Sequence, residues 1–102
     1  MDRIDPTPLD EALARILSEP SWAQQILTAT AATLRAEDPF LTITYYELNK
    51  AFDRAWADIT HGLPAVVAHE AREAAAIALP LTHPRETCDA YAWRMLQAAR
   101  GI

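Results

Sequence analysis

One pair of residues in the sequence has the spacing of a metal site. His69 and Glu73 belong to the run HEARE, and side chains four positions apart lie on the same face of a helix. Zinc hydrolases use the related pattern H-E-x-x-H, in which two histidines bind the metal and the glutamate acts as base. Here a glutamate replaces the second histidine. A catalytic zinc needs three protein ligands, so the pair requires a third residue from elsewhere in the chain.

The other histidines are poorly placed to supply that third ligand. His61 precedes the predicted helix and His83 follows it, and a helix of this length spans about 24 Å at ~1.5 Å per residue. His69, Arg72 and Glu73 share one polar arc opposite a run of alanines, which is typical of an amphipathic helix. We therefore interpret HEARE as a solvent-facing surface. A metal-dependent enzyme using His69 and Glu73 is the alternative.

Capping residues, prolines and glycines divide the chain into five predicted helices. Thr7, Ser21 and Thr44 each stand three residues before a polar partner, as at the start of a capped helix. Gly62 is predicted as the left-handed stop of the third helix, and Gly101 as the end of the last. The predicted ranges are 7–19, 21–36, 44–61, 64–79 and 84–100.

The composition predicts an all-α fold. The chain has 102 residues, about half of them hydrophobic, and only two glycines, while alanine, the best helix former, is abundant. Short links favour antiparallel neighbours in a compact bundle. We expect the alanine-rich fourth helix to be central or semi-buried, because small side chains allow close approach, and we expect Phe40 and Leu41 to close one end of the core. No linker or repeat divides the chain, so residues 1–102 are predicted to form a single helical domain.

The charge balance argues against nucleic acid as a partner. The net charge is −5 and the isoelectric point is about 5.0, whereas nucleic-acid binding depends on basic residues that neutralise phosphates. The third and fifth predicted helices are candidate recognition helices, but both interleave carboxylates with their cations. A small helical DNA-binding regulator is a second alternative, which this charge pattern disfavours.

Cysteine use and hydropathy point to the cytoplasm. Cys88 is the single cysteine, so no disulfide forms within the chain, which fits a reducing compartment. The N-terminus lacks the apolar stretch of a signal peptide, and no run approaches the ~18–20 apolar residues that span a bilayer. We expect a cytoplasmic protein without a membrane partner. No glycine-rich loop is present to cradle a phosphate, and no cofactor is predicted.

Trp93 departs from the pattern of the fifth predicted helix. The apolar stripe of that helix consists of Cys88, Tyr91, Ala92, Met95 and Ala99, and Trp93 points away from it toward polar neighbours. A tryptophan inside a polar arc indicates a surface that binds a partner, a ring covered by residues 1–6 or a loop, or a ring that is exposed without a function.

We therefore predict a protein–protein interaction module without catalytic activity. Such a chain is a small adaptor, inhibitor, immunity or accessory protein that contacts another protein or a second copy of itself. The predicted partner-binding residues are Trp93, Gln97 and Arg100 on the fifth helix, with Tyr46 on the third as a weaker case. Small acidic bundles without a pocket signature act mostly by contact, which favours this prediction.

Overall fold

The computed structural model describes residues 21–102, which form four α-helices and no strand. The all-α class predicted from composition is confirmed for this part of the chain. The helix predicted over residues 7–19 lies outside the described residues. Within 21–102, none of the helices combines the length and apolar character needed to span a bilayer. The helices are α1 (Trp22–Glu37), α2 (Tyr45–Ile59), α3 (Ala65–Ala78) and α4 (Cys88–Arg100).

Local capping sets the starts of α1 and α2. The Ser21 hydroxyl accepts a hydrogen bond from the Gln24 backbone N–H at 3.1 Å, and the Gln24 side chain accepts one from the Ser21 N–H at 3.0 Å. The Thr44 hydroxyl accepts from the Glu47 backbone N–H at 3.1 Å. Each cap satisfies backbone donors that the first helical turn leaves without a partner. The predicted helix starts at Ser21 and Thr44 are confirmed.

Helix α4 begins later than predicted, at Cys88 rather than near residue 84. Thr87 is the cap, and its hydroxyl accepts from the Ala90 backbone N–H at 3.1 Å. Before it the chain makes a turn in which the Glu86 N–H donates to the His83 carbonyl at 3.1 Å. Arg85 in this turn has a φ of 62°, which lies outside the right-handed helical region. The helix therefore cannot extend back to include Arg85.

The link before α2 pairs with this turn through its backbone. The Ile43 N–H donates to the Glu86 carbonyl at 2.7 Å, and the Cys88 N–H donates to the Leu41 carbonyl at 2.8 Å. Ile43 of this link is buried in the core, whereas Phe40, which lies in the turn that the Leu41 N–H closes on the Asp38 carbonyl at 3.2 Å, is 87% exposed and Leu41 is also exposed. The expectation that Phe40 and Leu41 close the core was wrong.

Within the described residues the central helix is α1, so the expectation of a central alanine-rich helix was wrong, while the alternative of a semi-buried one agrees with the structure. Helix α1 contacts each of the other three helices, most extensively α4 and least extensively α3. The alanine-rich helix α3 buries only Ala68, Ala71 and Ala75. An alanine side chain buries little apolar area. The larger side chains of α1 bury more, and the core therefore forms around α1. The buried residues of α1 are Ala23, Ile26, Leu27, Thr30, Ala31 and Leu34.

The predicted apolar stripe of α4 is confirmed, since its residues are buried against α1. Within the stripe, the fully buried Tyr91 donates a hydrogen bond from its hydroxyl to the Pro80 carbonyl at 2.6 Å. Burial raises the pKa of Tyr91 to about 12. Cys88 is also buried, and burial followed by the charges of Glu47 and Asp38 raises the pKa of its thiol. A buried thiol with a raised pKa fits the place of Cys88 in the predicted apolar stripe, where it packs as a small hydrophobic residue.

Candidate protein-binding surface on α1 and α4

Helices α1 and α4 run antiparallel and are tied together near both ends. Near the start of α1, the Gln24 amide donates to the Ala99 carbonyl at 2.8 Å. Toward its other end, the Arg35 Nε donates to the Asp89 carboxylate at 3.1 Å. Trp93 lies on α4 between these two ties. The aromatic side chain singled out by the sequence therefore stands on a fixed two-helix frame.

The Trp93 ring is held by Arg35 without being covered. The Arg35 guanidinium lies 5.0 Å from the centre of the ring, a cation–π contact worth about 0.5–1 kcal/mol at an exposed site. Trp93 nevertheless stays 48% exposed. The alternative of a cover formed by residues 1–6 lies outside the described residues.

A shallow hollow continues the surface beyond Arg35. It has a volume of about 520 Å³ and is lined by Arg35, Asp89, Pro39 and Phe40, among others. Arg35 thus borders the hollow and also stacks on Trp93. Phe40 was missed as a surface residue because an apolar residue in a short link is equally compatible with burial. The long-range backbone pairing of that link decided its position.

Two of the predicted residues extend the surface along α4. Gln97 lies one turn beyond Trp93 and is exposed, and Arg100 follows at the end of the helix. Arg100 lines a second hollow of about 240 Å³ with Gln24 and Thr28 of α1. Trp93, Gln97 and Arg100 therefore share one exposed side of α4, and Trp93 and Arg100 lie next to residues of α1.

Tyr46 lies on another helix. It is exposed near the start of α2, and the Lys50 ammonium of the same helix lies 5.6 Å from its ring centre. No hydrogen bond or ring contact in residues 21–102 connects it with Trp93, Gln97 or Arg100. The structure thus separates Tyr46 from the other three predicted residues.

Comparison with protein-family models, with curated proteins and with solved structures gives no match for this chain.

The histidine–glutamate pair on α3 forms as its spacing predicted. His69 Nε2 lies 3.1 Å from Glu73 Oε1, and both side chains are largely exposed. Among the described residues, no group of three histidine, cysteine, aspartate or glutamate side chains is arranged to hold a metal ion. The third ligand that a zinc site requires is therefore not found in this part of the chain.

Arg72 has a structural role that the sequence did not reveal. Its guanidinium lies 4.7 Å from the ring centre of Trp56 and 5.2 Å from that of Phe52, and it pairs with Asp53. The Trp56 indole N–H in turn donates to the Ala68 carbonyl at 2.8 Å. These contacts join α3 to α2. The interpretation of Arg72 as part of a solvent-facing arc was incomplete, because its aromatic partners come from a different helix.

A second arginine fixes the turn before α4. Arg94 Nη1 donates to both oxygens of Glu86, at 2.8 and 2.9 Å, and the His83 backbone N–H donates to one of them at 3.1 Å. Burial alone would raise the pKa of Glu86, but the hydrogen bonds from Arg94 and His83 and their charges hold it below its usual range. The pair holds the turn, and hence the start of α4, in place.

Proposed function

We propose that this protein is a non-catalytic interaction module of the cytoplasm that binds another protein, or a second copy of itself, through one surface of α1 and α4. We call this the Trp93 surface and define it by Phe40, Arg35, Trp93, Gln97 and Arg100. An adaptor, inhibitor, immunity or accessory protein would act in this way.

The observation that carries the proposal is the state of Trp93, which is ordered and yet half exposed. Arg35 stacks on the ring and is itself held by Asp89, so binding requires little further ordering of these side chains. Pre-ordering lowers the entropy cost of association. Tryptophan and arginine are also the residues most enriched among those that dominate binding energy.

The surface also suggests the chemistry of its partner. Phe40 and Trp93 offer exposed aromatic area, while the Arg35–Asp89 pair is neutral as a whole. Arg100 adds an exposed cation at one end. We infer a partner that places an apolar side chain against the aromatic rings and an acidic group near Arg100.

The test is capture from the native host with three tagged forms of the full chain: wild type, Trp93→Glu and Ile77→Glu. Ile77 is an exposed apolar residue on α3, away from the Trp93 surface, so its substitution is the matched control. We expect a protein retained by wild type and by Ile77→Glu to be lost with Trp93→Glu. Sedimentation of the same three forms tests self-association.

Folding must be separated from binding in this test. Circular dichroism should be unchanged in Trp93→Glu if the ring is an exposed contact residue. If the variant unfolds, Trp93 is a covered structural residue and the proposal fails. If it folds and retains every captured protein and the wild-type sedimentation, the surface is wrong. Arg100→Glu provides an independent substitution at the other end of the surface.

A further inference from the structure

One side of α4 carries an acid, an aromatic ring, an apolar side chain and a base, in that order along the helix. We call these four residues the outer row of α4; they are Asp89, Trp93, Leu96 and Arg100. Their spacings of four, three and four positions place them on one side of the helix, and all four are at least partly exposed. The outer row therefore extends the Trp93 surface along α4.

The outer row is complementary to itself in the antiparallel direction. Positions 89 and 100 lie equally far from the centre of the row, and so do positions 93 and 96. Two copies of the row laid antiparallel therefore pair Asp89 with Arg100 and Trp93 with Leu96, and each pair occurs twice. A contact in which the same patch serves both partners is an isologous two-fold interface, the commonest symmetry of protein dimers.

We propose that the Trp93 surface binds a second copy of this chain, with the two α4 helices antiparallel about a two-fold axis that passes between positions 94 and 95. This inference rests on the proposed function and names its partner. In the dimer, the Trp93 ring of each copy packs against Leu96 of the second copy. The apolar side chain and the acidic group that the surface requires of a partner are then Leu96 and Asp89 of the chain itself.

Charge complementarity supports this partner and its orientation. Asp89 accepts a hydrogen bond from Arg35 through one oxygen at 3.1 Å, and a carboxylate has further lone pairs for a second donor, Arg100 of the second copy. Antiparallel helices also bring opposite ends of their dipoles together. In a parallel pair, Asp89 would face Asp89 and Arg100 would face Arg100, and like charges across a contact are unfavourable. The charges therefore select the antiparallel pair.

The hollows at the two ends of the surface fit the same arrangement. The hollow of about 240 Å³ lies at the Arg100 end, where Leu96 and Ala99 also line it. Phe40 lines the hollow at the Asp89 end and is 87% exposed. Because a two-fold axis exchanges the ends, Phe40 of each copy lies beside the 240 Å³ hollow of the other. The dimer thus removes exposed aromatic area from water, which favours association.

Charge exchange between copies tests the proposal in the full chain. Arg100→Asp gives an outer row with two acids, and Asp89→Arg gives one with two bases. Each variant alone brings like charges together, so the dissociation constant of its dimer should rise about tenfold or more. An equimolar mixture restores both opposite-charge pairs and should dimerise nearly as wild type does. Sedimentation velocity over a range of concentrations measures the constants, and native mass spectrometry with one variant isotope-labelled identifies the mixed dimer.

The matched control is Arg100→Lys, which keeps the positive charge and should dimerise as wild type does. Circular dichroism checks that each variant is folded. Asp89→Arg also removes the pair with Arg35; if it unfolds for that reason, Arg100→Asp and Arg100→Lys still decide the question. Equal dissociation constants for those two variants would overturn the proposal.

Other outcomes separate this inference from the proposed function. A wild type that is monomeric at every concentration overturns the dimer, and two folded variants that form no mixed dimer overturn the antiparallel pairing. A monomeric chain that captures another protein through Trp93 contradicts only this inference. Capture and sedimentation that both stay unchanged in Trp93→Glu contradict the Trp93 surface itself.

Discussion

The Arg35 guanidinium lies 5.0 Å from the centre of the Trp93 ring. Its Nε also donates to Asp89, one helical turn before Trp93. One side chain of α1 thus makes two contacts with α4 and orients the aromatic ring while half of it remains in solvent. We therefore expect Arg35 to help fix the orientation of Trp93.

Arg35→Met should weaken partner capture by about tenfold, which corresponds to ~1.4 kcal/mol, because it removes the contact that orders Trp93. The free energy of unfolding should change by less than about 1 kcal/mol, since both contacts are exposed. Titration of the captured partner and urea unfolding measure the two effects. Arg54→Met, which removes an exposed pair with Glu37, is the control. Equal affinities for the two variants would contradict the role of Arg35.

Arg72→Ala should lower the free energy of unfolding by about 1–2 kcal/mol, because it removes two cation–π contacts and one ion pair between α2 and α3. Glu73→Gln on the same helix removes only an exposed pair with His69 and should cost less than about 0.5 kcal/mol. Urea unfolding of the two variants measures the loss in free energy of unfolding for each. Similar losses would show that Arg72 does not join the helices.

Glu86→Gln should make the free energy of unfolding less dependent on pH in the acid range. The pKa of Glu86 is lower in the folded state than in the unfolded chain, where it is about 4.3. The stability it contributes is therefore present above the unfolded pKa and is lost as the pH falls through the folded one. The free energy of unfolding, measured between about pH 5 and 3, should fall more steeply for wild type than for Glu86→Gln. An acid slope equal to that of wild type in Glu86→Gln would contradict this prediction.

Tyr91→Phe should make the free energy of unfolding less dependent on pH in the alkaline range. The pKa of Tyr91 is about 12 in the folded state and about 10 in an unfolded chain. Its contribution is complete below the unfolded pKa and is lost as the pH rises through the folded one. At neutral pH, loss of the hydrogen bond to Pro80 should cost about 1 kcal/mol. Unfolding measured from about pH 9 to 12 checks both effects, and an unchanged alkaline slope would contradict them. Exposed Tyr46→Phe is the control.

Gly62→Ala should destabilise the fold by about 1 kcal/mol or more, because Gly62 has a φ of +84°, where a Cβ is strained. No atom lies within 4 Å of the added Cβ, so the cost is conformational. Gly101 has a φ of −87°, and its added Cβ would make an ordinary 3.5 Å contact with the Ala98 carbonyl. Gly101→Ala should therefore be close to neutral in thermal unfolding. Equal effects at the two positions would contradict this explanation.

Helix boundaries could be predicted from the sequence where they depend on residues a few positions away, and not where they depend on distant residues. The caps at Ser21 and Thr44 were predicted, because each acts on backbone groups three residues away. The left-handed stop at Gly62 was predicted for the same reason. The start of α4 was misplaced, because the turn before it is held by the distant link that contains Thr42, which pairs with Thr87.

The candidate surface also combines a feature that nearby residues determine with features that distant residues determine. Trp93 was identified because its position departs from the apolar stripe of its own helix, and a helical period requires no tertiary knowledge. Its stacking partner Arg35 was not identified, because 58 positions separate the two residues in the sequence. The exposure of Phe40 was missed as well, since it follows from backbone pairing with residues around Glu86.

The sequence by itself determined the helical class, the capped helix starts and the apolar stripe of α4, since each depends on hydrogen bonds or periodicity within a few residues. Only the tertiary structure decided that α1 is central, that Arg72 joins α2 to α3 and that Arg35 holds Trp93 at the surface. Those outcomes depend on which helix faces bury the most apolar area together, and that is a property of the packed chain as a whole.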